Sequence, residues 1–171
     1  IGATSSRSVG KILIKGLHAM EYRGYDSAGV ALNQDNKVFR LRSLGKVSSL
    51  EELMVNNKPK ANSGIAHTRW ATHGAPSEEN AHPHGSHDEI YIVHNGIIEN
   101  HDEIRDELKS KGYDIASETD SELIAHLIYL NKTDSVSTLE ALINATKELK
   151  GAFSIAAISV SYTHLRAHET R

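Results

Sequence analysis

The chain has 171 residues, of which 39% are apolar and 24% charged, with a formal net charge of −3. That length supports one domain with a real core, and no block of like charge marks a nucleic-acid or membrane surface. No apolar run approaches the ~20 residues of a membrane span, and no apolar secretory segment follows Ile1, so the expected location is cytoplasmic. The sequence contains no cysteine, which removes disulfides, thiolate metal sites and thiol nucleophiles from these residues. Ile1 stands where a translated chain carries methionine, so upstream residues are expected.

Val9, Ile12, Leu13, Leu17 and Met20 recur at helical spacing, which predicts a helix over 8–20 with Ser8 as N-cap. Arg23-Gly24-Tyr25-Asp26 ends it. Ala28–Leu32 and Val38–Leu41 read as two strands of a hairpin turning at Gln34-Asp35-Asn36. A short helix is expected at 47–55, a loop at 58–60 and a buried strand at Gly64–Thr68. Residues 70–88 are rich in Gly, Pro, Ser, Asn and His, and read as a long loop of the kind that usually carries function. Glu89–Val93 is the next strand, and Asn95-Gly96 after it is a hairpin signal. Three helices follow, each opened by a capping-box pattern. The pairs are Asn100 with Glu103, Thr119 with Glu122, and Ser137 with Glu140. Residues 152–158 read as a buried strand. Val160 to Arg171 shows no core pattern and is read as a non-native tail. The mixed order of elements indicates an α+β or layered α/β domain.

The segment from His67 to His101 holds seven of the eleven histidines, together with Arg69, Trp70, Thr72 and Asn95. Polar and aromatic groups at strand ends and in a long loop make a site candidate. One reading is a zinc hydrolase built on His82, His84 and His87, since neutral imidazoles bind zinc well. The pattern departs from a His-x-His-x-Asp-His signature, because Ser86 stands where aspartate is needed. Loop histidines that hydrogen-bond or face solvent are the preferred reading, and no metal or cofactor is assigned.

Five blocks carry a more specific signal. They are Glu21-Tyr22-Arg23-Gly24-Tyr25-Asp26-Ser27-Ala28-Gly29, His67-Thr68-Arg69-Trp70-Ala71-Thr72-His73-Gly74, Asn80-Ala81-His82-Pro83-His84, His94-Asn95-Gly96-Ile97-Ile98-Glu99-Asn100 and Ser117-Glu118-Thr119-Asp120-Ser121-Glu122. In this order they resemble the glutaminase half of the glucosamine-6-phosphate synthases, over residues 1 to about 158. Tyr22 and Tyr25-Asp26 separate that branch from other class II amidotransferases.

The resemblance implies a four-layer αββα sandwich of the N-terminal-nucleophile hydrolase type, incomplete at both ends, with a glutaminase domain over 1–159 and the tail at 160–171. It also implies chemistry. An N-terminal cysteine attacks the side-chain amide of L-glutamine, with its own α-amine as base. The resulting oxyanion would meet the Asn95 side chain and the Gly96 N–H. A plain hairpin turn is the alternative for that pair. Arg69, Thr72 and His73 would hold the glutamine carboxylate, and Asp120 its ammonium. A surface ion pair and a first-turn helix acid are the alternatives for Arg69 and Asp120. Trp70 would lie on the ammonia route, against core packing as the alternative. Arg23 would lie near the nucleophile, against a helix C-terminal cation.

Aligned to this pattern, Cys-Gly-Ile is expected ahead of Ile1, and Ser5 or Ser6 cannot replace that cysteine. The implied parent enzyme is a homodimer that binds fructose 6-phosphate through further domains and makes glucosamine 6-phosphate. A non-catalytic glutamine-binding module is the alternative. No nucleic-acid or membrane partner is implied.

Overall fold

A computed structural model describes residues 1–35, 37–70, 74–160 and 162–169, the last segment as backbone only. The elements in order are β1 (Gly2–Thr4), α1 (Gly10–Met20), a 3-10 turn (Glu21–Arg23), β2 (Ser27–Gln34), β3 (Lys37–Leu44), α2 (Val47–Asn57), β4 (Ser63–Arg69), β5 (His84–Ser86), β6 (Ile90–Ile98), α3 (His101–Ser110), α4 (Ser121–Leu130), α5 (Thr138–Glu148), β7 (Gly151–Ser159) and β8 (Tyr162–Glu169). They build two antiparallel four-stranded sheets, ordered β1-β4-β2-β3 and β5-β6-β7-β8.

Side-chain alternation along the strands divides the core into three. Val30 and Leu32 of β2 pack with Leu13, Leu17 and Leu50 of α1 and α2. Ala31 between them points the other way and joins Ile65, Tyr91, Val93 and Ile158 between the sheets. Ile90 and Ile92 of β6 face a third cluster with Leu108, Ile124, Leu127 and Leu142 from α3, α4 and α5. The order is therefore helices, sheet, sheet, helices, which is the αββα sandwich expected. Both faces of β2 are covered, so its residues from Ser27 to Leu32 are apolar or small rather than alternating. The Asn33 side chain donates to the Ser159 carbonyl at 3.1 Å, bridging the sheets through a buried hydrogen bond.

The local chemistry departs from the sequence reading at several points. Val9, not Ser8, is the N-cap of α1. The Asn95-Gly96 hairpin does not form. Both residues lie inside β6, opposite Ser154 and Phe153 of β7, and the strand continues to Ile98. A Cβ on Gly96 would lie 2.2 Å from the Ala152 carbonyl oxygen. The glycine there permits a close strand approach, not a turn. The Asn100 capping box is absent too. Its side chain donates to the Glu148 carbonyl at 2.9 Å and accepts from the Lys150 N–H at 2.8 Å, tying the α5–β7 junction instead. At α4 the N-cap is Asp120, and the Glu122 carboxylate turns back to the Ala116 and Ser117 N–H groups. Only Ser137 with Glu140 forms the reciprocal box. Three strands were not anticipated. β1 precedes the first helix. β5 lies within the long histidine-rich loop, and β8 within the segment read as a tail, pairing along β7.

Candidate functional site

A cavity of about 340 Å³ opens where the end of β4, the middle of β6, the start of α4 and the 3-10 turn meet. Arg23, Arg69, Trp70, Asn95, Gly96 and Asp120 all line it, with Ile1, His67, His82 and His94. Six of the eight site residues read from the sequence are thus brought together from four separate elements. Thr72 and His73 lie outside the described residues.

Arg69 is buried at the end of β4, and its guanidinium donates to the Gly74 carbonyl at 3.2 Å and the Ala75 carbonyl at 3.4 Å. The Asp26 carboxylate stands 3.8 Å from the same guanidinium. These contacts hold the planar cation at the cavity wall and tether the start of the loop to it. The simple surface ion pair considered for Arg69 is excluded by this burial. Asp120 is buried as well, accepting from the Ile98 N–H at 2.9 Å and the Ser121 hydroxyl at 3.3 Å. Its carboxylate therefore joins the α4 N-terminus, favourable for an anion, to the strand that carries Asn95 and Gly96. A buried anion beside a buried cation across a small polar cavity suits a zwitterionic ligand.

The histidines of this region are mostly buried. His94 Nδ1 lies 2.8 Å from Ser121 Oγ, and burial lowers the His94 pKa against the opposing pull of Asp120. His67 Nε2 lies 2.8 Å from Asn95 Oδ1. The His67 and His82 rings pack with centroids 4.2 Å apart, and His84 follows at 4.8 Å from His82. The zinc arrangement is not formed. His84 Nε2 meets the Thr119 hydroxyl at 3.2 Å, while His87 stacks on Tyr129 and meets Ser86 Oγ at 2.9 Å. Among the described residues no group of three His, Cys, Asp or Glu is placed to hold a metal ion.

Trp70 is 60% exposed and meets Tyr25 edge-on at 5.8 Å, so it is not a core tryptophan. Arg23 is exposed at the cavity rim. Two residues given no role in the sequence reading prove structural partners of the site. Glu118 accepts from the Asn80 side chain at 3.0 Å and the Ala75 N–H at 3.2 Å, and Asn80 accepts from the Glu118 N–H at 2.9 Å. These bonds tie Asn80 and Glu118 to Ala75, whose carbonyl Arg69 also bonds. Both residues sit in the five blocks, and that membership was the only signal for them.

The glutamine amidotransferase domain family matches residues 67–168. The chain belongs to that family. Among similar proteins, the glutamine–fructose-6-phosphate aminotransferase (isomerizing) of Haemophilus influenzae is 53% identical over 156 residues, 91% of this chain and 25% of that protein. The protein of the same name from Pseudomonas aeruginosa is 52% identical over 163 residues, 94% of this chain and 26% of that protein. The amidotransferase chain thus spans about a quarter of the length of these relatives. A glutamine phosphoribosylpyrophosphate amidotransferase from B. subtilis has the same fold at a TM-score of 0.79, with 23% identity over 93% of this chain and 34% of that one. The allosteric regulatory enzyme of purine biosynthesis superposes with a TM-score of 0.80 at 24% identity, over 93% of this chain and 35% of that one. Among the described residues of this family member, no helix is long and apolar enough to cross a membrane.

Proposed function

We propose that this amidotransferase chain forms the glutamine site of a glutamine–fructose-6-phosphate aminotransferase, acting in the cytoplasm. The observation that carries the reading is the convergence of Arg69, Asp120, Asn95 and Gly96 on one cavity. Arg69 takes the glutamine carboxylate, with Thr72 and His73 as further contacts, and Asp120 takes the ammonium. The side-chain amide is then directed to Asn95 and Gly96, whose N–H groups stabilise the tetrahedral oxyanion. Arg23 and Trp70 stand at the rim, where Trp70 borders the route by which ammonia leaves for fructose 6-phosphate. That second reaction belongs to the remaining three-quarters of such a protein, working as a homodimer.

The attack needs a nucleophile, and the 171 residues hold no cysteine. The strand register supports a place for one. Gly2 pairs with Ile65 and β1 runs antiparallel to β4. A Cys-Gly-Ile tripeptide placed before Ile1 would continue that register along His67, Thr68 and Arg69, bringing the cysteine opposite Arg69. Its α-amine would take the thiol proton as the sulfur attacks the amide carbon; ammonia leaves, and water releases glutamate from the thioester.

The test uses two chains. The 171-residue chain should bind L-glutamine by calorimetry and hydrolyse none of it. The chain carrying Cys-Gly-Ile should release glutamate. Asp120→Asn keeps an oxygen for the Ile98 N–H but removes the charge, and should weaken glutamine at least about tenfold, the loss of one charge-assisted contact. Equal glutamine binding in that variant, or turnover without the cysteine, contradicts the assignment.

A further inference from the structure

We propose that His67 is a positioning residue that turns the Asn95 side-chain amide so that its NH₂ group faces the cavity. The contact joins the two sheets at the cavity wall: His67 is buried on β4, Asn95 is solvent-facing on β6, and His67 Nε2 lies 2.8 Å from Asn95 Oδ1. Its catalytic consequence rests on the glutaminase reading above; the contact itself does not.

An asparagine amide is nearly symmetric in shape, so something must choose between its two orientations. With the proton on His67 Nε2, the ring donates to Asn95 Oδ1 and leaves both amide hydrogens for the cavity. With the proton on Nδ1, Nε2 becomes an acceptor, the amide turns over, and Oδ1 faces the cavity. The remaining ring nitrogen decides between them. His67 Nδ1 is buried and meets no hydrogen-bond partner among the described residues. A proton there would be a buried, unsatisfied donor, at a cost of about 1–3 kcal/mol. An unused lone pair is better tolerated than an orphaned N–H. A doubly protonated ring is also disfavoured, because burial pushes the His67 pKa down to about 4. Among the described residues the neighbouring His82 ring has no hydrogen-bond partner for either nitrogen; it packs on the His67 ring and offers Nδ1 no described contact.

The consequence is chemical. An oxyanion forming beside Asn95 meets two amide hydrogens in one orientation and a lone pair in the other. The His67 tautomer therefore sets whether Asn95 can stabilise or would repel the developing charge. His67 acts through Asn95, the side chain its Nε2 meets.

Histidine-selective ¹⁵N NMR on the 171-residue chain reads the tautomer without any turnover. The expected result is an Nε2-protonated, neutral His67 at pH 7. An Nδ1-protonated or cationic ring overturns the proposal. In the Cys-Gly-Ile chain, His67→Leu should lower kcat for glutamine hydrolysis by about 10- to 100-fold, short of or equal to losing one oxyanion donor. KM should stay nearly constant, since glutamine is held by Arg69 and Asp120. His67→Gln, which can still donate to Asn95, should recover most of kcat. A purely structural role predicts instead that both variants lose urea stability and that kcat of the folded fraction is unchanged; that outcome also overturns it. If the extended chain with His67 intact hydrolyses nothing, the glutaminase reading fails, and the tautomer measurement alone decides the positioning role.

Discussion

Gly96→Ala tests how the strand pair at the site is built. Gly96 has φ of 131° and sits opposite Phe153 in the β6–β7 ladder. A Cβ there would lie 2.2 Å from the Ala152 oxygen and 2.7 Å from the Phe153 Cα. The first approach is more than about 1 Å short of an ordinary non-bonded contact. Both obstructing atoms are backbone, so no side chain can swing aside, and the ladder must splay. The backbone strain costs about 1–3 kcal/mol and the overpacking about 1–3 kcal/mol. Together they approach 2–6 kcal/mol, a large part of the roughly 5–15 kcal/mol that holds a domain folded. Gly45 supplies the control. It also has positive φ, at 80°, but a Cβ there meets nothing within 4 Å. Gly45→Ala should therefore lose only the conformational part, about 1–2 kcal/mol. Urea unfolding followed by circular dichroism measures both. If Gly96→Ala loses no more stability than Gly45→Ala, the close approach to β7 is not what the glycine is for.

Trp70→Ala should change urea stability by less than about 1 kcal/mol, because the ring is exposed; a core tryptophan would cost about 3–5 kcal/mol. Asn100→Ala should raise amide hydrogen exchange at Lys150, whose N–H it receives, while leaving Ile104, which bonds the Asn100 backbone, protected. Stability should also fall as pH drops from 6.5 to about 4. The unfolded chain takes protons on His67 and His84 near 6.5, whereas burial holds them neutral down to about 4 and about 3 in the fold. Each contributes up to about 1.4 kcal/mol per pH unit in that window. Below 4.5 Glu122 adds to the loss: burial pushes its pKa up, but the His126 ring 3.6 Å away and hydrogen bonds from the Ser117 and Ala116 N–H groups outweigh that and hold it at about 2. Urea midpoints from pH 8 to 4 measure this, and a flat profile would contradict a neutral histidine core.

Helices and central strands were legible because their patterns are dictated by burial. Leu13 and Leu17 are buried on one face of α1 as their spacing predicts, whereas Ile12 of the same pattern is 53% exposed and Ile14 is buried in its place; the Ser137–Glu140 box formed at an exposed helix start. Asn100 carries the same signature and fails. The Glu148 carbonyl and the Lys150 N–H lie within its reach, and bonding both is worth more than one more bond in an exposed helix start. β5 was missed because three residues give no period. Asn95-Gly96 was misread as a turn because the dipeptide looks the same whether glycine is needed for positive φ in a loop or for close approach in a ladder. The site residues themselves were legible only as family blocks. Nothing in the spacing of Arg69 and Asp120 brings them to one cavity; the sandwich does that.

The continuity of β6 is what makes the site more than a collection of polar residues. A loop at Asn95-Gly96 would leave both groups free to move, and preorganisation at the oxyanion position would be lost. In the strand, consecutive positions are held by different elements. His94 is fixed from α4 through Ser121. Asn95 is met by His67 from the opposite sheet. Gly96 is pressed against β7, and the Ile98 N–H is taken by Asp120. Asp120 is also the proposed partner of the glutamine ammonium, so the group that would hold the substrate is bonded to the strand that would hold its oxyanion. The Asp120–Ile98 bond resists a shift of α4 relative to β6, and so would fix the distance between the ammonium and amide ends of a bound glutamine.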